Sequence, residues 1–158
     1  APTRAAGGAF APAITAGQVR MSFEDGTDNW GPYWHPDQVS VSATSTVAQD
    51  GTRSLLVQAT PVAGQNTAVG TTHVSGLHAG MTVTIQMWYG GQGHGLISPF
   101  VQSNGITLLP GAIAVPRATG WTSLSFTVPA NTTPTGLGVQ LDVNDGINLT
   151  IAIDTIKW

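Results

Sequence analysis

The sequence predicts an all-β protein that folds as a two-sheet antiparallel β-sandwich of the jelly-roll type. Only 8% of the 158 residues are charged, and the chain contains 20 glycines and 10 prolines, a composition typical of short strands joined by many turns. About ten segments alternate apolar and polar residues between turn signals, which is the pattern of half-buried strands. No stretch shows the 3.6-residue apolar period of a helix, so we expect no helix beyond a single turn.

The chain divides into a short N-terminal segment and one domain. Residues 1–17 are rich in Ala, Gly and Pro and have no apolar period, so we interpret them as a linker or N-terminal arm. Residues 18–158 are long enough to bury a hydrophobic core, and we predict a single domain there.

Composition excludes several classes of function. A net charge of −3, with only five Lys and Arg, argues against a nucleic-acid partner. No apolar stretch approaches the roughly 20 residues that span a membrane. Because cysteine is absent, disulfides and thiolate metal sites are excluded, and the four histidines lack the spacing of zinc ligands. The scarcity of lysine on a Thr-, Asn- and Gln-rich surface favours a secreted protein.

The elements follow in order along the chain. Val19, Met21 and Phe23 alternate with polar residues and predict a first strand that ends at Glu24, and 26–36 is predicted as a loop rich in aromatic residues. The remaining predicted strands are 39–43, 54–59, 68–72, 82–89, 99–103, 106–109, 122–128, 137–143 and 149–157. Asn104-Gly105 and the turn at 144–146 each predict a hairpin between the strands that flank them.

Two isolated acidic residues lie on the first and last predicted strands. Glu24 is the only glutamate, and Asp154 interrupts the β-branched run 151–156. A carboxylate beside a strand is costly to bury without a cation or hydrogen-bond donors. One hypothesis is a hard-cation site with oxygen ligands, hence calcium, that joins the chain ends. The alternative is two surface carboxylates at strand ends.

Five short motifs together resemble a known family. They are Phe23-Glu24-Asp25-Gly26 with Trp30, Gly51-Thr52-Arg53-Ser54-Leu55, the run 74–80, Gly120-Trp121-Thr122, and Ile153-Asp154. In this order and spacing, residues 18–158 resemble the jelly-roll carbohydrate-binding modules attached to bacterial glycoside hydrolases, in particular families 4, 9 and 22.

The resemblance implies a metal and a set of partners. It implies a structural calcium held by the side chains of Glu24 and Asp154 and by carbonyls near Gly51 and Thr52, with Asp25 or Asp50 as alternatives to Glu24. It also implies a monomeric, secreted module that binds single chains of a β-linked plant polysaccharide (xylan, β-glucan or mannan) and targets a covalently linked catalytic domain.

Face parity predicts the carbohydrate site. In strand 82–89, Val83, Ile85 and Met87 point to one face and Gln86 and Trp88 to the other. A sugar ring offers apolar C–H faces to an aromatic side chain and hydroxyls to amides, so a Trp beside a Gln suits it. The same argument adds Gln102, Gln140, Asp142 and Asn144, with Tyr33 and Trp34 as walls. Alternatively, Trp88 packs under a loop and the amides only solvate a strand face, with the loop aromatics acting as a plug.

We expect no catalysis. A glycosidase normally needs two carboxylates roughly 5–10 Å apart, whereas Asp142 is the only acid in the predicted groove. The chain also lacks the Gly-x-Ser-x-Gly elbow of α/β-hydrolases. The competing interpretation is a structural or protein-binding β-sandwich that spaces domains in a secreted enzyme.

Overall fold

The structure is a computed structural model of the chain. It describes residues 17–60, 62, 65–90, 93–109, 113–114, 119–143 and 147–158. The predicted linker, apart from Gly17, therefore lies outside the described residues.

The described residues form strands and one short 3-10 turn, Pro36–Gln38. In chain order the strands are β1 (Val19–Met21), β2 (Gly31–Trp34), β3 (Val39–Thr44), β4 (Ser54–Ala59), β5 (Thr67–Thr71), β6 (Thr82–Tyr89), β7 (Gly95–Gln102), β8 (Ile106–Leu108), β9 (Ile113–Ala114), β10 (Gly120–Thr127), β11 (Gly136–Val143) and β12 (Leu149–Lys157). In the described part of the chain, no helix is long and apolar enough to cross a bilayer.

The strands make two antiparallel sheets. Sheet A has the order β9-β7-β11-β5-β2, with β8 paired to β7, and sheet B has the order β10-β6-β12-β4-β3, with β1 paired to β12. The predicted all-β two-sheet sandwich is therefore confirmed.

The core lies between the sheets and is built by alternation along each strand. Val83 and Ile85 of β6 are completely buried, and so are Leu137 and Val139 of β11. Because successive side chains point to opposite faces of a strand, the intervening residues of both strands face away from the core. The face parity predicted for these strands is thus confirmed.

One predicted hairpin forms and the other does not. β7 and β8 pair across Asn104-Gly105, where both residues have positive φ values of 59° and 124°. In contrast, β11 pairs within sheet A and β12 within sheet B, so the hairpin predicted for 137–143 and 149–157 is wrong. β11 and β12 pack their apolar faces against the same core, one from each sheet. A turn-forming sequence does not reveal whether the next strand pairs in the same sheet or joins the opposite one. Residues 144–146 lie outside the described part.

The aromatic loop predicted at 26–36 contains a strand. β2 pairs with β5, and its register shifts between Pro32 and Trp34, as in a β-bulge. Proline and the bulge interrupt the period-2 pattern, which explains why the sequence did not reveal this edge strand.

The ends of the domain meet. Gln18 and Trp158 exchange backbone hydrogen bonds of 2.9 and 3.2 Å, and the Arg20 guanidinium donates to the Trp158 carbonyl at 3.2 Å. The same guanidinium lies 5.5 Å from the centre of the Trp158 ring, a cation–π contact. The first and last described strands therefore close sheet B together.

Gly138→Ala should destabilise the protein. A Cβ at this position would lie 2.2 Å from the Val69 carbonyl oxygen and 2.6 Å from Cζ of Phe100, and forced contacts of this kind cost about 2 kcal/mol or more. Gly31→Ala is the matched control, because a Cβ there meets nothing within 4 Å. Urea unfolding should show a clear loss of stability for Gly138→Ala alone; equal effects of the two substitutions would contradict the close packing.

Candidate functional site

The outer face of sheet A carries an exposed tryptophan in register with an amide. Trp34 of β2 lies opposite Ala68 of β5, and Ala68 lies opposite Gln140 of β11. Gln140 in turn faces Ser98 of β7. The bulge in β2 brings Trp34 onto this row, where its side chain is 55% exposed.

Glycines in the neighbouring rows leave space for aromatic rings against the outer face of the sheet. A Cβ at Gly138 would lie 2.6 Å from Cζ of Phe100, and a Cβ at Gly136 would lie 3.0 Å from the Tyr33 hydroxyl. The rings of Tyr33 and Phe100 are 5.0 Å apart and tilted by 59°. These two rings occupy the space that side chains would fill at the glycines.

A depression of about 280 Å³ opens beside these rings. Its lining comprises Trp34, Ala68, Phe100, Ile106 and Gln140. Phe100 is 1% exposed and forms the floor, whereas Trp34 and Ile106 are 55% and 49% exposed and rise beside it. The depression thus combines an apolar floor and walls with one amide.

Backbone contacts hold Trp34 in place. The Thr67 hydroxyl donates to the Trp34 carbonyl at 2.7 Å. His35 follows in the left-handed region at φ 50°, its Nδ1 contacts the Asn66 carbonyl, and its ring lies 5.1 Å from the Trp34 ring. The chain on the C-terminal side of Trp34 is therefore anchored to Asn66 and Thr67.

Tyr33 supports the floor. Its hydroxyl is buried and has no hydrogen-bond partner among the described residues. Burial raises the pKa of this phenol, because desolvation disfavours the charged form. Tyr33 was predicted as a wall of the groove; the structure places its ring against Phe100, and Tyr33 is not among the residues that line the depression.

Four of the predicted binding residues share the outer face of sheet A. Besides Trp34 and Gln140, Gln102 lies opposite Gly136 and Asp142 lies opposite Leu96. Asn144 lies outside the described residues. Ile106 and Ala68 were missed, since neither residue type signals a polar ligand and only the pairing of strands brings them beside Trp34.

Gln86 and Trp88 do not join this group. They lie on β6, which is a strand of sheet B, and their side chains leave the sandwich on its opposite side. The single groove predicted from shared parity is therefore not formed. Parity shows only that a side chain points away from the core. The outward side chains of the two sheets lie on opposite faces of the sandwich.

The residues predicted to hold a metal meet around the turn between β3 and β4. Glu24 accepts hydrogen bonds of 3.0 Å from the Thr52 amide, the Thr52 hydroxyl and the Arg53 amide. The Cα of Gly51 faces the same carboxylate, because a Cβ there would lie 2.6 Å from Cδ of Glu24. The turn thus binds Glu24 through donors.

Asp154 holds the other half of this turn. It is completely buried on β12, and its Oδ2 accepts from the amides of Gln49 and Asp50 at 2.8 and 3.0 Å. Its Oδ1 accepts from the Thr155 amide at 2.8 Å. Thr155 has a φ of 51° at an irregularity of the β12 register, so the carboxylate also stabilises a strained residue.

In this structure hydrogen-bond donors, and not the oxygen ligands of a calcium ion, contact the two carboxylates. Calcium takes six to eight oxygen ligands, whereas the groups that face Glu24 from Thr52 and Arg53 are amides and a hydroxyl that donate to it. No group of three or more acidic or histidine side chains in the described ranges could hold a metal. The observed contacts instead satisfy both carboxylates by hydrogen bonds, and the calcium implied by the resemblance stays a prediction.

Comparison with known proteins gives structural neighbours only. No family model and no curated relative matches the chain. A structure described as β-sandwich superfamily carbohydrate-binding modules matches with TM-score 0.64 and 21% identity, over 92% of this chain and 64% of its own. The family 22 xylan-binding domain of Paenibacillus barcinonensis Xyn10C matches with TM-score 0.59 and 20% identity, over 92% and 96%. A family 11 module from Clostridium thermocellum matches with TM-score 0.62 and 14% identity, over 91% and 94%.

The chain has the fold of a β-sandwich carbohydrate-binding module. The predicted resemblance to family 22 is confirmed at the level of fold. At identities of 14–21%, the likeness shows a shared architecture only. The chain spans 64% of the length of the first of these structures.

The Glu24 contacts predict a pH effect. The amides of Thr52 and then Arg53 lower the pKa of Glu24, so the stability that this carboxylate contributes is complete above the unfolded pKa, about 4.3, and is lost as pH falls through the lower folded value. The melting temperature of Glu24→Gln should therefore lie below that of the wild type at neutral pH, and the gap should narrow below about pH 4. A gap that stays constant down to pH 2 would contradict this.

Chelation tests the calcium hypothesis. Because N–H donors already satisfy Glu24 and Asp154, we expect the same melting temperature in excess EDTA and in millimolar calcium. An ion that bound at a hundredfold excess over Kd would add about 2.7 kcal/mol. A rise with calcium in the wild type that is absent in Asp154→Asn would instead establish the calcium site.

Proposed function

We propose that this chain is a non-catalytic carbohydrate-binding module and that Trp34 stacks on a sugar ring while Gln140 bonds its hydroxyls. The observation that carries the proposal is the exposed indole of Trp34, placed in the same depression as the Gln140 amide. Aromatic faces attract the C–H faces of sugars, and a few placed polar groups fix the orientation.

The ligand class is a neutral β-linked plant polysaccharide, with xylan first. The structural neighbour from P. barcinonensis is a xylan-binding domain, which supports this choice. Gln102 and Asp142 flank the depression on the same face. The amide of Gln102 can donate to and accept from hydroxyls, and the carboxylate of Asp142 can accept from them. A soluble single chain suits the site better than a crystalline surface, since Trp34 is the exposed aromatic side chain among the described residues.

The described acids support binding without catalysis. Glu24 is bound by the turn at Thr52, and Asp154 is buried at Gln49. Asp142 lies on the outer face of sheet A, and the described lining of the depression contains no carboxylate. A glycosidase needs a pair of carboxylates across the bond that it cleaves.

The structural neighbours support a proposal for the setting of the module. One of them is a family 22 module joined to a GH10 module of C. thermocellum xylanase 10B, complexed with xylohexaose. By analogy, the chain is a secreted, monomeric module that targets a covalently linked glycoside hydrolase to its polysaccharide. A protein-binding spacer domain is the competing function, and the exposed apolar side chains of Trp34 and Ile106 would suit it as well.

Calorimetric titration with xylohexaose, cellohexaose and mannohexaose separates these functions. Trp34→Ala should weaken binding of the preferred sugar by about 2 kcal/mol or more, because it removes the stacking surface. Gln140→Ala should cost nearer 1 kcal/mol, the net value of one hydrogen bond.

Leu96→Ala is the control for that titration. Leu96 is exposed on the same face and is not part of the depression's described lining, so its removal should leave the affinity unchanged. Wild-type affinity in Trp34→Ala would show that the site is elsewhere, and no binding of any sugar by the wild type would favour the spacer function.

A further inference from the structure

The outer face of sheet B carries a second pair of aromatic side chains. Trp88 of β6 lies directly opposite Trp121 of β10, and both indoles are half-buried, so part of each faces solvent. β10 is the last strand of sheet B in its described order. The face of the sandwich opposite Trp34 therefore also presents aromatic surface.

Polar rows continue from this pair along the same two strands. The Ser123 hydroxyl donates to Oε1 of Gln86 at 3.0 Å, and the hydroxyls of Thr84 and Ser125 are 3.2 Å apart. The Gln86 amide nitrogen is not used in that bond with Ser123. An ordered amide thus lies one row from the indoles.

The residue on the other side of Trp88 is small and covered. Ala152 of β12 lies directly opposite Trp88 and, although on the outward face, is completely buried. A methyl group beside an indole at cross-strand distance lets the ring lie over β12. Trp88 therefore lies on an inner strand of sheet B, between β10 and β12, and not at the edge of the sheet.

A cavity of about 640 Å³ lies next along this face. Its lining includes Ser40, Gln58 and Thr150, which form one cross-strand row. The cavity adjoins the indole, because a Cβ at Gly90 would lie 3.1 Å from Cζ3 of Trp88 and 3.3 Å from Cβ of Thr150. Aromatic surface and hydroxyl-lined cavity are thus continuous.

Among the residues that the structure describes, the strip from Trp121 through Trp88 to this cavity is almost free of charge. Asp37 lines the cavity at one end, and Lys157 lies opposite Thr84 at the other. Asp154, beside Gln86, is completely buried and bound by the turn amides. Amides, hydroxyls and indoles match an uncharged polyhydroxylated ligand, whereas an anionic polymer would meet Lys157 as the one cation of the strip's described residues.

We propose that this strip is a second, independent site for a neutral polysaccharide chain, with Trp88 as its stacking residue. The proposal rests on the proposed function of the Trp34 depression, since it assumes that the chain meets carbohydrate. The half-buried indoles offer less stacking area than Trp34, so the strip binds more weakly. With sites on opposite faces, one molecule bridges two polysaccharide chains.

Fluorine NMR of the full chain labelled with 5-fluorotryptophan tests this, because each of the five tryptophans gives its own resonance. The resonance lost in Trp88→Phe identifies Trp88. In Trp34→Ala, xylohexaose should still shift the Trp88 resonance. Adding Trp88→Ala to this variant should lower its remaining affinity for xylohexaose by at least about tenfold. In the same Trp34→Ala background, Trp88→Phe keeps an aromatic ring and should retain part of this affinity. Thr150→Val should weaken it.

Met81→Ala is the control, since Met81 is exposed at the start of β6, away from the strip. Wild type should also crosslink soluble xylan into larger particles by light scattering, and either single-site variant should not. If the Trp88 resonance does not shift in Trp34→Ala at saturating xylohexaose, the second site is wrong while the Trp34 site stands. If the wild type binds none of the three hexasaccharides, the proposed function falls and this site with it.

Discussion

The missing side chains at Gly70 and Gly138 are the constraint on which the site face of the sandwich depends. These glycines lie opposite each other on β5 and β11, and a Cβ at Gly138 would come within 2.7 Å of the Gly70 Cα and 2.6 Å of the Phe100 ring. Only bare backbone at Gly138 leaves room for the ring of Phe100 at this position. The position of Phe100, the floor of the depression beside Trp34, therefore depends on the absence of side chains at Gly70 of β5 and Gly138 of β11.

The sequence predicted the strands and their faces well, because alternation is a local property. Buried Val83, Ile85 and Leu137 lie where the period-2 pattern put them. It did not predict which sheet each strand joins, since pairing is set by contacts between residues far apart in the chain. Trp88 and Gln140 were consequently assigned to one groove although they lie on opposite faces. The bulge at Tyr33 reversed the parity of Trp34 in a segment without any recognisable pattern.

Glu24 and Asp154 show a different limit of prediction from sequence. The sequence correctly singled out Glu24 and Asp154 as isolated acids that need partners, and both contact the turn 49–53. It could not say whether the partner is a cation or an amide, because either compensates a carboxylate removed from water. In the structure the amides do so, and charge-assisted bonds of this kind are among the stronger hydrogen bonds. They tie β1, the β3–β4 turn and β12 into one unit.

The irregularity of β2 has a consequence for solubility. β2 is the last strand of sheet A in its described order, and an exposed strand edge is a template on which a second chain can add its own backbone hydrogen bonds. Pro32 offers no N–H to such a neighbour, and the register shift after it breaks the regular spacing that a long ladder requires. The distortion that displays Trp34 to solvent thus also protects this edge against aggregation.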